Sequence, residues 1–225
     1  MARLRFGSGF DVRYAVAFLA LFSGIALLLN IIFSVDLRLG LGALVILVVG
    51  AFASLLRRAS DAERRTILRT LAYGAVAGVI GTLVYDVART ILAIIDQSPY
   101  RPFEAIVVFG QLLLGSQARD AGVILTGGLF HILNGSSFGV AFTFVAVTRH
   151  RIGIKRLIAL GVGWGLFLES FQMLLYPDWL GITYFREFLT ISALGHVAYG
   201  ATLGPTARAL LSRGMARPSG GEAVA

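Results

Sequence analysis

Four ionisable residues stand inside long apolar stretches of the sequence: Asp86, His131, Glu169 and His196. An ionised side chain deep in a bilayer costs roughly 2.5–3.5 kcal/mol on the insertion scale, so each needs a partner or a role. Two imidazoles and two carboxylates form a donor set for a divalent transition metal (Zn, Fe or Mn), and helical bundles hold such sets between facing helices. Two His on opposing helices also match the axial ligation of haem. Without a metal, the same layer suits a proton or ion relay. A further reading is structural, with interhelical hydrogen bonds of about 0.6 kcal/mol each. Three residues after each ionisable group, on the same helical face, come Arg89, Asn134, Gln172 and Tyr199. These are the expected supporting residues, or the lining of a substrate path.

Such residues need helices to position them, and composition says of what kind. Of the 225 residues, 57% are apolar and 14% charged, where a soluble domain carries about 25% charged. That leaves too little polar surface for a water-soluble globule and disfavours soluble enzymes, disordered chains and nucleic-acid modules. The absence of Cys excludes disulfides, iron–sulfur clusters and Cys-ligated zinc. The phosphate loop, the H-E-x-x-H zinc helix, the nucleophile elbow and the dinucleotide fingerprint are absent as well.

A bilayer core takes about 20 apolar residues per helix. Six stretches qualify: 14–34, 39–56, 71–95, 121–148, 157–176 and 188–210. The first is too long for a signal peptide and no cleavage site follows it, so it reads as an uncleaved span. Fifteen of the twenty Lys and Arg cluster in four segments: Arg3 to Arg13, Arg57 to Arg69, Arg149 to Arg156, and Arg208 to Arg217. By the positive-inside rule all four lie in the cytoplasm, as do both termini, and the net charge of +8 is a topology signal. His150 falls in a basic loop and reads as solvated. The basic loops carry no interleaved aromatics, which argues against nucleic acid as a partner. Residues 103–114 are apolar but too short to cross, and read as an interfacial or re-entrant helix. Residues 177–188 form an aromatic cap. Residues 1–212 make a single membrane domain, followed by a disordered tail over 213–225.

The last four spans contain an internal echo. His131, Gly135 and Gly139 match His196, Gly200 and Gly204 as His-x3-Gly-x3-Gly. Gly78, Asp86 and Arg89 match Gly161, Glu169 and Gln172 in spacing. We therefore expect two repeated hairpins, 66–148 and 157–211, related by a pseudo-twofold axis along the membrane normal, with the first two spans (1–58) outside them. The small-x3-small faces bring the fourth and sixth spans close, with His131 and His196 facing one another.

From Phe130 onward the layout resembles the YagU-like inner-membrane proteins. The points of resemblance are His131 in an apolar helix and the basic turn from Arg149 to Arg156. Further on come the span ending Tyr176-Pro177-Asp178-Trp179-Leu180-Gly181 and the pair Gly195-His196. It covers less than half of the chain. The resemblance implies a small polytopic inner-membrane protein, and a position equivalent to Glu169 that also accepts His. It brings no reaction or substrate, and no counterpart for Asp86 and Arg89.

The expected fold is thus all-α: a polytopic membrane protein of six transmembrane helices with both termini cytoplasmic. Its expected partners are the lipid bilayer and, as an open alternative, further copies of itself. Three functions stay open. The layer of Asp86, His131, Glu169 and His196 transports a proton, metal ion or small polar solute; or it serves a metal- or haem-dependent enzyme or redox protein; or it belongs to a structural subunit.

Overall fold

In the computed structural model, which describes residues 12–97, 99–148 and 152–216, every regular element is a helix. Arg3, Arg5, Arg149, His150, Arg151, Arg217 and the tail from residue 217 lie outside the described residues.

Helix α3 (Leu37–Arg58) starts at Asp36, whose carboxylate accepts from the backbone N–H of Arg38 and Leu39. Helix α4 (Asp61–Asp96) begins well before residue 71, because Ser60 and Glu63 form a reciprocal capping box at its first turn. Arg64, Arg65 and Arg69, expected in a loop, therefore stand on this helix. Helix α5 (Glu104–Leu114) is the short apolar helix expected at 103–114. Helix α6 (Ala121–Phe142) is capped by Asp120 and runs into a π-helical turn, Thr143–Val147. Helix α7 (Ile154–Leu180) passes through Pro177 and ends at left-handed Gly181. A proline this near the C-terminus removes a single backbone bond, so the last turn survives it. Helix α8 (Phe185–Ala216) is the longest of the later helices and extends past residue 213, where the tail was expected to begin.

The first expected span is divided. Helices α1 (Val12–Ala20) and α2 (Phe22–Phe33) meet at Leu21 with a bend of 50°. The halves serve different neighbours: α1 packs on α6 and its π-helical turn, whereas α2 packs mainly on α3.

Among the described residues, four helices are long and apolar enough to cross a membrane: α3, α4, α7, and α6 with its π-helical turn. The bent pair α1–α2 makes a fifth if it counts as one span. The sixth expected span, within α8, falls short of that composition. The reason is its position. Helix α8 lies between α4 and α7, so much of it meets protein, and Ser192, His196 and Tyr199 are buried there. A helix enclosed by other helices does not need the hydrophobicity that lipid contact demands.

The hairpins α4–α6 and α7–α8 stand side by side, joined through α4 against α8. This replaces the expected approach of the fourth and sixth spans. Two tyrosines set the junction: the ring of Tyr199 lies over Gly81, and the ring of Tyr85 over Gly195. Within each hairpin, glycines bring the backbones together. A β-carbon on Gly78 would stand 2.3 Å from the Gly135 carbonyl oxygen, and one on Gly161 would stand 2.0 Å from that of Gly200. Helix α5 packs along α6 in the same manner, with Gly110 against Val123 and Gly127 against Ile106. One end of the bundle carries the basic residues Arg57, Arg58, Lys155 and Arg156; the other carries Tyr100, Phe103, Trp179, Tyr184 and Phe185. We refer to these as the basic end and the aromatic end.

Candidate functional site

The glycine contacts fix the register of each hairpin, and the register decides which polar groups meet. Two turns beyond Gly78 on α4 comes Asp86, and one turn before Gly135 on α6 comes His131. Nε2 of His131 lies 3.0 and 3.2 Å from the two oxygens of Asp86. On the other hairpin, Glu169 and His196 occupy the matching places, with Nδ1 of His196 2.8 Å from Oε2 of Glu169. Each imidazole is thus held by the carboxylate of its own hairpin.

The two pairs differ in surroundings. Glu169 is fully buried, and its Oε2 also accepts from the Ser192 hydroxyl at 2.8 Å. Nδ1 of His196 faces a second acceptor, the Ser192 carbonyl, at 3.0 Å. Two acceptors on one ring nitrogen require that Nδ1 carry the hydrogen. Nε2 of His196 then accepts from the Gln172 amide at 3.2 Å, the arrangement of a neutral imidazole. Asp86 is a quarter exposed and is shared between His131 and Arg89, whose Nη2 donates to it at 2.9 Å. Arg89 is almost entirely buried. Its Nη1 donates to the Pro102 carbonyl at 2.6 Å, and its guanidinium lies over the rings of Tyr85 and Phe103 at 4.2 and 4.7 Å. Such a cation above two desolvated rings gains about 2 kcal/mol or more.

Tyr85 links the two pairs. Its ring centroid lies 6.0 Å from that of His131 and 4.7 Å from that of His196, edge-on to the latter. Sequence reasoning did not single out Tyr85 or Ser192. The signals were present: Tyr85 precedes Asp86, and Ser192 stands one helical turn before His196. Tyr199, expected to support His196, instead donates to the Gly135 carbonyl at 2.9 Å and packs on Gly81. Asn134 is buried beside the pairs, and its Oδ1 has no hydrogen-bond partner; the same is true of Arg89 Nε and Glu169 Oε1.

This geometry overturns the metal expectation. Among the described residues no three His, Asp or Glu side chains come together as ligands. The set of Asp86, His131, Glu169 and His196 is two separate pairs, each spending its imidazole N–H on a carboxylate. A Zn, Fe or Mn centre is therefore withdrawn, and the metal-dependent transport and enzyme readings go with it. Haem falls too, because Nε2 of His131 is held by Asp86, both ring nitrogens of His196 are engaged by Glu169 and Gln172, and both rings lie against Tyr85.

Two cavities adjoin the layer. One, of about 210 Å³, is lined by α2 (Ile25, Leu28, Ile31), by α7 (Phe167, Phe171) and by polar side chains that include Arg89, His131, Asn134, Gln172 and His196. The second, of about 250 Å³, opens at the aromatic end among Tyr100, Arg101, Glu104, Thr183 and Tyr184. Arg89, Ala105, Gln172 and Tyr176 line both. Burial raises the Tyr100 hydroxyl above its ordinary value, so it stays protonated in the second cavity. Toward the basic end the bundle is closed by Ala77, Phe142, Leu203 and Ala207, all buried.

No family model, curated protein or solved structure matches this chain. The resemblance to the YagU-like proteins therefore rests on its short motifs alone.

Proposed function

We propose that this is a multi-span membrane protein whose buried His–carboxylate layer binds a small molecule through a hydrogen-bonding group. The observation that carries the reading is the shared wall of the two cavities. Arg89 and Gln172 face both chambers, and each is hydrogen-bonded to one of the pairs. Unsatisfied polar atoms in apolar surroundings cost about 1–3 kcal/mol each. Arg89 Nε and Asn134 Oδ1 are such atoms, and a ligand that satisfied both would recover part of that. The closed packing at the basic end favours binding over passage.

The wider architecture belongs to the same proposal. The protein sits in the inner membrane with the basic end and both termini cytoplasmic. The two hairpins are repeats: Gly78 on Gly135 and Asp86 with His131 are matched by Gly161 on Gly200 and Glu169 with His196.

Native mass spectrometry of the protein after mild extraction tests the reading. We expect a non-protein mass bound one per chain, lost in Gln172→Leu. A wild-type protein that carries no such mass, and whose melting temperature does not respond to an extract of its own membrane, would sink it. The chain has no Cys, so single cysteines report topology directly. Thr183→Cys should react with a membrane-impermeant thiol reagent from outside, and Ser60→Cys should not.

A further inference from the structure

Resting on that binding site, we infer that its ligand is a bilayer-derived neutral amphiphile, with a hydroxyl head and one long hydrocarbon chain, entering sideways between α2 and α7. Three independent features point there.

The first is the shape of the wall. The larger part of the 210 Å³ cavity is apolar and lies between α2 and α7. These two helices do not pack on one another to any extent: α2 packs on α3, and α7 almost entirely on α8. The gap therefore opens on the side of the bundle. The α7 face beside it carries Phe167, Phe171 and Leu174, exposed by 51%, 39% and 77%. A hydrocarbon chain suits such a slot; a polar solute does not.

The second is a pair of orphan atoms on residues that line the slot. Arg89 Nε–H needs an acceptor and Asn134 Oδ1 needs a donor. Both residues are more than nine-tenths buried and line the cavity. A hydroxyl accepts from one and donates to the other, which neither a carboxylate nor a quaternary ammonium does.

The third is charge. Among the described residues no carboxylate lines this cavity, and the one guanidinium that does is already neutralised by Asp86. The imidazole N–H groups of His131 and His196 are engaged with Asp86 and Glu169. Little charge remains to recover the desolvation of an ionic head, so an uncharged one is preferred.

The test is photolabelling of the full-length protein in nanodiscs with a diazirine-bearing sixteen-carbon alcohol. We expect one adduct per chain, mapping to residues 21–31 or 167–175. Unlabelled hexadecanol should compete at least ten-fold better than palmitate at pH 8 or hexadecyltrimethylammonium. Leu28→Trp, at a partly buried position on α2, should fill the slot and weaken labelling about ten-fold without disturbing the polar layer. Leu28→Ala should retain it. Asn134→Leu should weaken labelling to a similar degree. If butanol competes as well as hexadecanol and Leu28→Trp is neutral while Asn134→Leu still weakens labelling, the lipid assignment falls and the binding site stands. Equal competition by palmitate overturns the neutral head. Labelling indifferent to both substitutions overturns the site as well. An intermolecular crosslink across Phe171→Cys would show that a second copy fills the gap, and would end the proposal.

Discussion

The ring of Tyr85 on α4 occupies the space above Gly195 on α8, where a β-carbon would stand 2.8 Å from the ring. That contact joins the two hairpins and sets Tyr85 against the imidazoles of both. Enlarging Gly195 must push the ring away. Overpacking of this kind costs about 1–3 kcal/mol. Gly195→Val should lower stability by that order in a denaturant titration. Gly163→Val, where a β-carbon meets nothing within 4 Å, should leave it unchanged. Equal effects at the two glycines would contradict the packing.

Glu169 is fully buried, and His196 and Ser192 hydrogen-bond to it. Removing the carboxylate leaves the buried donors of His196 and Ser192 unsatisfied, at a cost of about 1–3 kcal/mol each. Glu169→Ala should be destabilised on that scale, and Glu169→Gln less, since the amide oxygen still accepts from Ser192. A Glu169→Ala protein as stable as wild type would mean that the pair does not form.

The matched backbone contacts offer a check on the repeat. Gly78 and Gly161 each stand against a carbonyl of the facing helix, at Gly135 and Gly200. Neither tolerates a side chain without separation of the helices. Gly78→Val and Gly161→Val should destabilise by similar amounts, at least 1–3 kcal/mol each, read from thermal melts in detergent. A large loss at one and none at the other would argue that the hairpins are not equivalent.

Acid sensitivity should have one contributor at the start of α3. The Arg38 side chain donates to Asp36 and holds its carboxyl down to about 2, below the ordinary 3.8, against a smaller opposing effect of desolvation. A carboxyl lowered in the folded state stabilises above its unfolded value, and that contribution is lost as pH falls through the folded one. Asp36→Asn keeps a capping oxygen but not the charge, so the slope of stability between about pH 4 and pH 2 should flatten. An unchanged slope would exclude this pair as a contributor.

Much of the fold was legible because lipid and water impose different periods and lengths on a chain. Among the described residues, five of the six expected spans correspond to helices long and apolar enough to cross, the bent α1–α2 pair counted as one, and the short apolar helix at 103–114 is α5. The expected span within α8 is a long helix that falls short of a lipid-facing composition, because composition reports exposure to lipid and α8 is packed between α4 and α7. The bend at Leu21 left no proline or glycine at the break itself to mark it. In the site, spacing put Asp86, His131, Glu169 and His196 in one layer, with the two His expected to face one another; which carboxylate each imidazole meets came from the packing of each hairpin. Spacing could not say whether the pairs merge.

What the sequence determined by itself was the local and the repeated: helices from apolar runs, the short helix at 103–114, and Gly-x3-Gly faces that call for a close neighbour. These depend on neighbours within one or two helical turns, or on backbone approach that only glycine permits. What the tertiary structure decided was how the two hairpins meet. Tyr85 over Gly195 and Tyr199 over Gly81 bring α4 to α8 and leave each imidazole with its own carboxylate. Side chains far apart in sequence compete for one space, and that competition turned an expected four-ligand centre into two pairs beside a cavity.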